Sequence, residues 1–170
     1  IETDTEVNRK EIEVEEECLK ILALHQPVAS SLRYVIACLK INNDLERIGD
    51  LAVNIAQQTR DLTDDYKLVI DFTQMANLAK KMLSLSLQAL VESDLKAASE
   101  TLVLEEKLDG LHVANYGIIG DIAQSKPNRI QPLMRHVAIS RYIERIGDHC
   151  THIAEDVEYM INGKIMRHLH

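Results

Sequence analysis

Glu46-Arg47-Ile48-Gly49-Asp50 and Glu144-Arg145-Ile146-Gly147-Asp148 are the same five residues, met twice in one chain of 170. Each copy sits in a frame of apolar residues with helical spacing, so each places two carboxylates one turn apart. Like charges at that spacing repel by about 0.2–0.5 kcal/mol on a helix. Bearing this cost once is common, since acidic pairs on an outer helix face are usually a solvated surface. Bearing it at matched places in a duplication points to something positive that neutralises the pair. Arg47 and Arg145 are near enough to do so; a bound cation is the other candidate.

The surrounding chain reads as long helices. The first expected helix runs from about residue 2 to Leu24 and stops ahead of Pro27, which disfavours helical geometry in the residue before it. Ser30 or Ser31 is placed to cap a second helix that reaches about Arg60. The polar stretch at 61–65 reads as a linker. A third helix is expected over about 66–91, and a fourth from a Ser93 or Asp94 cap to about Gln124. Ser125-Lys126-Pro127-Asn128 forms a turn, and a last helix covers about 130–161 and stops at Asn162-Gly163.

Aligning the two motifs gives an offset of 98 residues and matches Leu45 with Ile143 and Ile55-Ala56 with Ile153-Ala154. One helix earlier, Asp4-x-x-x-Asn8 is similar to Glu105-x-x-x-Asp109. The expected fold is therefore all-α, built as tandem three-helix bundles, with residues 1–63 as the first repeat and 64–170 as the second. The first repeat shows two helices and is expected to lack its opening one. Its exposed apolar faces are then expected to meet a neighbouring molecule, as in a homodimer.

At 100° per residue, Ile41, Leu45, Ile48, Ala52 and Ile55 form one stripe, and Ile139, Ile143, Ile146, Cys150 and Ile153 another; these are the expected core seams. Glu46, Asp50 and Asn54, and likewise Glu144, Asp148 and His152, are expected on the solvent side. Glu105 and Asp109 lie beside a seam of Leu104, Leu108, Leu111 and Ile118, from where they can lean toward Glu144 and Asp148. Such an oxygen-rich, thiol-free set suits Mg, Mn, Ca or iron, with His152 as a candidate nitrogen ligand. Gly49 and Gly147 each cost about 1 kcal/mol in a helix interior and read as points of close helix approach. Cys18, Cys38 and Cys150 read as small buried hydrophobes, and Met75 and Met82 as core. His168 and His170 are assigned no role.

Composition removes several classes of function. The chain is 46% hydrophobic and 27% charged, with a net charge of -8, which argues against nucleic acid as the main partner. No apolar run approaches the roughly 20 residues that span a bilayer. Neither a phosphate-cradling glycine loop nor a nucleophile–base pattern is present. A carboxylate-bridged di-iron enzyme of the ferritin-like kind needs Glu-x-x-His motifs facing a bundle core, and no Glu here has His three residues on. A metal-free helical adaptor is the remaining alternative.

The doubled motif, together with Gln26-Pro27-Val28-Ala29-Ser30-Ser31-Leu32-Arg33 and Asn54-Ile55-Ala56, resembles the PhoU family across essentially the whole chain. The resemblance implies paired three-helix bundles and a cytoplasmic, non-catalytic negative regulator of phosphate uptake and of the phosphate-starvation response. It implies two partners, the ATPase of the phosphate ABC transporter and a membrane sensor histidine kinase. It further implies metal ions, iron or zinc in multinuclear clusters or else Mg or Mn. The ligands would be Glu46, Asp50, Glu144 and Asp148, supported by Asp4, Glu105 and Asp109. Cations on this face are also expected to bridge it to anionic lipid at the inner surface of the plasma membrane. Because Asn8 replaces a carboxylate and His152 stands opposite Asn54, the second repeat is expected to bind metal more tightly.

Overall fold

A computed structural model describes residues 4–60 and 70–163. The linker at 61–65, the repeat boundary at 63/64, His168 and His170 lie outside those residues. The described residues form five successive helices: α1 (Asp4–His25), α2 (Ala29–Arg60), α3 (Thr73–Glu92), α4 (Leu95–Ser125) and α5 (Ile130–Asn162), the last preceded by a 3-10 turn at Pro127–Arg129. Among the described residues there is no strand, as the helical periodicity requires.

Most helix ends follow the local chemistry. Asp94 accepts hydrogen bonds from the backbone N–H groups of Lys96 (2.9 Å) and Ala97 (3.3 Å), satisfying two donors that a helix start leaves orphaned. Gly163 closes α5 in the left-handed region at φ 69, where a side chain would be strained. Two ends differ from expectation. Residues 70–72 are not helical, and α3 opens only at Thr73, where the Asp71 carboxylate accepts the Thr73 N–H at 2.9 Å; a local side-chain bond of this kind competes with helix geometry. At the other, α2 opens at Ala29, ahead of the serines expected to cap it.

α3, α4 and α5 pack mutually as one bundle, α1 packs on α2, and α2 lies along α5. The α2–α5 pair is antiparallel: Lys40 meets Asp156 (3.1 Å), Asp44 meets His149 (2.8 Å) and Gln58 meets Arg135 (3.2 Å). The two five-residue motifs therefore pass each other at one level, at the seam between the repeats. One apolar cluster runs through this seam, from Ala37, Ile41 and Ile48 of α2 to Met75 and Met82 of α3, Leu104 and Leu108 of α4 and Ile143, Ile153 and Val157 of α5. On the far side, α1 leaves Ile12, Val14 and Leu19 exposed.

Touching α2, α3 and α4 at once, α5 has little outer face left. This corrects the expectation that the second acidic ladder looks into solvent. Glu144 is 8% exposed, and Asp148 is half-buried. The seams shift as well. On α2 the buried line is Ala37, Ile41, Asp44, Ile48 and Leu51, with Ala52 exposed; on α4 it passes through Ile119, with Ile118 exposed.

Candidate functional site

The motif helix of the second repeat meets α4 at a glycine. A Cβ built on Gly147 would stand 2.5 Å from Leu108 Cδ2 and 3.4 Å from Met82 Cε, so only glycine admits this approach without movement. The twin, Gly49, is under no such demand, since its nearest neighbour would be Val7 Cγ1 at an ordinary 3.6 Å. Close approach thus explains one glycine of the pair and not the other.

By drawing α4 against α5, that contact brings Asp109 beside Glu144 and Asp148. One carboxylate oxygen from each of the three lies within 4.8 Å of the others. Glu105, one turn before Asp109, is half-buried and close enough to feel both Asp109 and Asp148. Arg141 donates to Glu144 Oε1 at 2.5 Å, while Glu144 Oε2 is buried and has no hydrogen-bond partner. A buried carboxylate oxygen with nothing to accept carries a full desolvation cost.

Titration follows the geometry. Burial, and then the charge of Asp148, raises Glu144 above the ordinary carboxylate range. Asp148 is raised by burial and then by Asp109, and Glu105 by burial and then by Asp109 and Asp148. Three neighbouring acids that each resist ionisation are what too much negative charge in too little water produces. A multivalent cation held by their oxygens would reverse that balance, and hard oxygen donors are the set that Mg²⁺, Mn²⁺ and iron prefer.

The first repeat is arranged differently. Arg47 lies between its two acids, with Nε 3.4 Å from Glu46 and Nη1 3.3 Å from Asp50. Asn8 is exposed, and Asp4 opens α1 with its side chain outside the described residues. Among the described residues, no group of three potential ligands gathers around Glu46 and Asp50. In the second repeat the guanidinium that bonds the acids directly is that of Arg141, while Arg145, which the sequence suggested, acts on Glu144 through its charge alone.

His152 does not extend the Glu144–Asp148 ladder. Its Nδ1 lies 3.5 Å from Asp44 Oδ1, across the seam, where His149 Nδ1 also approaches the same oxygen at 2.8 Å. Sequence reasoning left Asp44 out of the candidate site. The available signal was its register: Asp44 stands three residues after Ile41 and four before Ile48, a carboxylate on a core line.

The PhoU domain model matches residues 1–59 and 72–157. The chain belongs to the PhoU family. A PhoU homolog from Clostridium acetobutylicum, named a phosphate-specific transport system accessory protein, is 32% identical over 167 residues, covering 96% of this chain and 76% of its own. The Deinococcus radiodurans protein of the same name is 32% identical over 162 residues, covering 94% and 76%. The crystal structure of PhoU from Pseudomonas aeruginosa superposes with a TM-score of 0.91 at 30% identity, over 96% of this chain and 79% of that one. A phosphate transport system regulatory protein PhoU from Streptococcus pneumoniae gives a TM-score of 0.74 at 26% identity, over 97% and 78%. These names describe accessory and regulatory proteins of phosphate transport, a role that is not enzymatic.

Proposed function

We propose that this PhoU-family chain is a non-catalytic regulator of phosphate transport whose working surface is a cation-loaded carboxylate groove between α4 and α5. The observation that carries this reading is Glu144 Oε2, buried and without a partner beside Asp109 and Asp148. Asp109, Glu144 and Asp148 would hold the ion, with Glu105 at its edge. An all-oxygen donor set favours Mg²⁺, Mn²⁺ or iron over zinc. The second repeat would bind more tightly than the first, where Arg47 already lies between Glu46 and Asp50.

In this role the chain works in the cytoplasm with the ATPase of the phosphate ABC transporter and with a sensor histidine kinase, holding the starvation response off while phosphate is plentiful. Bound cations offset part of the net charge of -8 and let an acidic protein approach acidic partner surfaces or anionic lipid. No described helix is long and apolar enough to cross a membrane, so contact with the bilayer would be peripheral.

The test pairs binding with signalling. Mn²⁺ titrated into chelator-stripped protein should bind wild type and Glu46→Gln, and bind Glu144→Gln much more weakly. In cells lacking their own copy, Glu144→Gln should fail to repress a phosphate-starvation reporter that wild type represses. Full repression by a variant that no longer binds Mn²⁺ would remove the cation from the function.

A further inference from the structure

Beside the carboxylate groove, one turn beyond Asp148 on α5, three side chains converge at the seam between the repeats. Asp44 of α2 is 7% exposed, and its Oδ1 lies 2.8 Å from His149 Nδ1 and 3.5 Å from His152 Nδ1. The two imidazoles stand one turn apart on α5, edge to face, with ring centroids 5.7 Å apart. All three ligand atoms lie within 4.8 Å of one another.

We propose that Asp44, His149 and His152 form a second metal site, one for a borderline cation such as Zn²⁺, that ties the first repeat to the second. A single hydrogen bond to Asp44 needs one imidazole, and His149 already supplies it. At 3.5 Å, His152 is too far from the same oxygen for a good hydrogen bond, yet it is turned onto it. The spacing suits a metal better. With Zn–N and Zn–O bonds of about 2.0–2.1 Å, the ligand atoms of a tetrahedral site stand about 3.3 Å apart, and the two N–O distances bracket that value. The ion would take the place of the proton between His149 and Asp44. His152, 48% exposed at its side chain, leaves the fourth position open to solvent.

The donor set separates this site from the groove. Two imidazoles and one carboxylate select Zn²⁺, Co²⁺ or Ni²⁺, whereas carboxylates alone select harder ions. The site is also unpaired within the duplication. At the offset of 98, the positions equivalent to Asp44, His149 and His152 are Tyr142, Leu51 and Asn54, which supply no second set. One such ion therefore fastens α2 to α5 partway along the seam, between the Lys40–Asp156 and Gln58–Arg135 contacts.

Zn²⁺ is the probe. Chelator-stripped full chain is titrated with Zn²⁺ against a competing zinc indicator, and separately with Co²⁺ while tetrahedral d–d absorption is followed. Wild type and Glu144→Gln should both bind Zn²⁺ and give the Co²⁺ spectrum. His152→Ala should keep the metal-free melting temperature, since that side chain is half exposed, and lose Zn²⁺ affinity by at least the roughly tenfold that even a supporting contact is worth. Asp44→Asn should lose the Co²⁺ spectrum; should Asp44→Asn not fold, the His152→Ala titration decides. Unchanged Zn²⁺ affinity in His152→Ala overturns the site. So does loss of Zn²⁺ binding in Glu144→Gln alone, which would place zinc in the carboxylate groove. Loss of Mn²⁺ binding in Glu144→Gln with zinc retained is the outcome that separates the two sites.

Discussion

Replacing each motif glycine by alanine should give opposite results, although the five residues around each are identical. Removing glycine from a helix interior gains about 1 kcal/mol from propensity at either position. At Gly49 the new methyl meets Val7 Cγ1 at 3.6 Å, an ordinary contact, so the gain survives. At Gly147 it would stand 2.5 Å from Leu108 Cδ2, and Leu108 is 1% exposed in a packed core. Overfilling such a core costs about 1–3 kcal/mol, which cancels the propensity gain or exceeds it by up to about 2 kcal/mol. For a chain of this size 1 kcal/mol moves Tm by about 2–4 °C, so the variants should melt about 2–12 °C apart, with Gly49→Ala above wild type. Thermal unfolding followed by circular dichroism, backed by urea titration, reads this directly. Leu108 immediately precedes Asp109, so a retreat of α4 from the methyl that Gly147→Ala adds should also weaken Mn²⁺ binding, while Gly49→Ala leaves it unchanged. Equal stabilisation by both substitutions would show that α4 and α5 are not held at contact by Gly147, and the gathering of Asp109 with Glu144 and Asp148 would lose its cause.

Other outcomes follow from the same geometry. Glu105, Glu144 and Asp148 have raised pKa values in the folded state, so the native protein binds extra protons just above the ordinary carboxylate range. Their contribution is fully present below the unfolded pKa values and is lost as pH rises through the raised ones; the metal-free protein should therefore melt higher at about pH 5 than at about pH 7. Saturating Mn²⁺ should flatten or reverse that slope, because metal displaces those protons. Asp44 behaves in the opposite sense: burial works against its ionisation, but the hydrogen bond from His149 and the nearness of His152 outweigh burial and hold its pKa low. Its stabilisation is lost only as pH falls through that lowered value, a second limb in the acid Tm profile that His149→Ala should remove. Asp94→Ala should cost about 1 kcal/mol in urea titration by exposing two capped N–H groups of α4. Loss of under a few tenths would mean that water replaces the cap without penalty.

The helices, their order and the doubled architecture were legible in the sequence because periodicity, Asp94, Pro127 and Gly163 are local signals. The pairing of Asp109 with Glu144 and Asp148 was legible too, through the matching of Glu105-x-x-x-Asp109 to the neighbouring motif. What was not legible is how many neighbours α5 has. A two-faced reading of α5 assumes one bundle and so puts Glu144 outside, beside a His152 that is exposed as expected. With α2 of the first repeat packed along it as well, α5 has neighbours on three sides, which leaves Glu144 buried and draws His152 to Asp44. The twin glycines differ for a similar reason: Leu108 faces one, Val7 the other, and no feature of the pentapeptide records it. A carboxylate at a core register, as at Asp44, was the one overlooked local clue to the seam.

Whether a cation sits between α4 and α5 can be seen in crystals of the chelator-stripped protein soaked in Mn²⁺, with data collected at a wavelength where manganese scatters anomalously. An anomalous peak is expected between Asp109, Glu144 and Asp148, with Glu144 Oε2 as a ligand, stronger than any peak at Glu46 and Asp50. A map with no peak there, and Glu144 held by Arg141 alone, would contradict the carboxylate groove as a cation site.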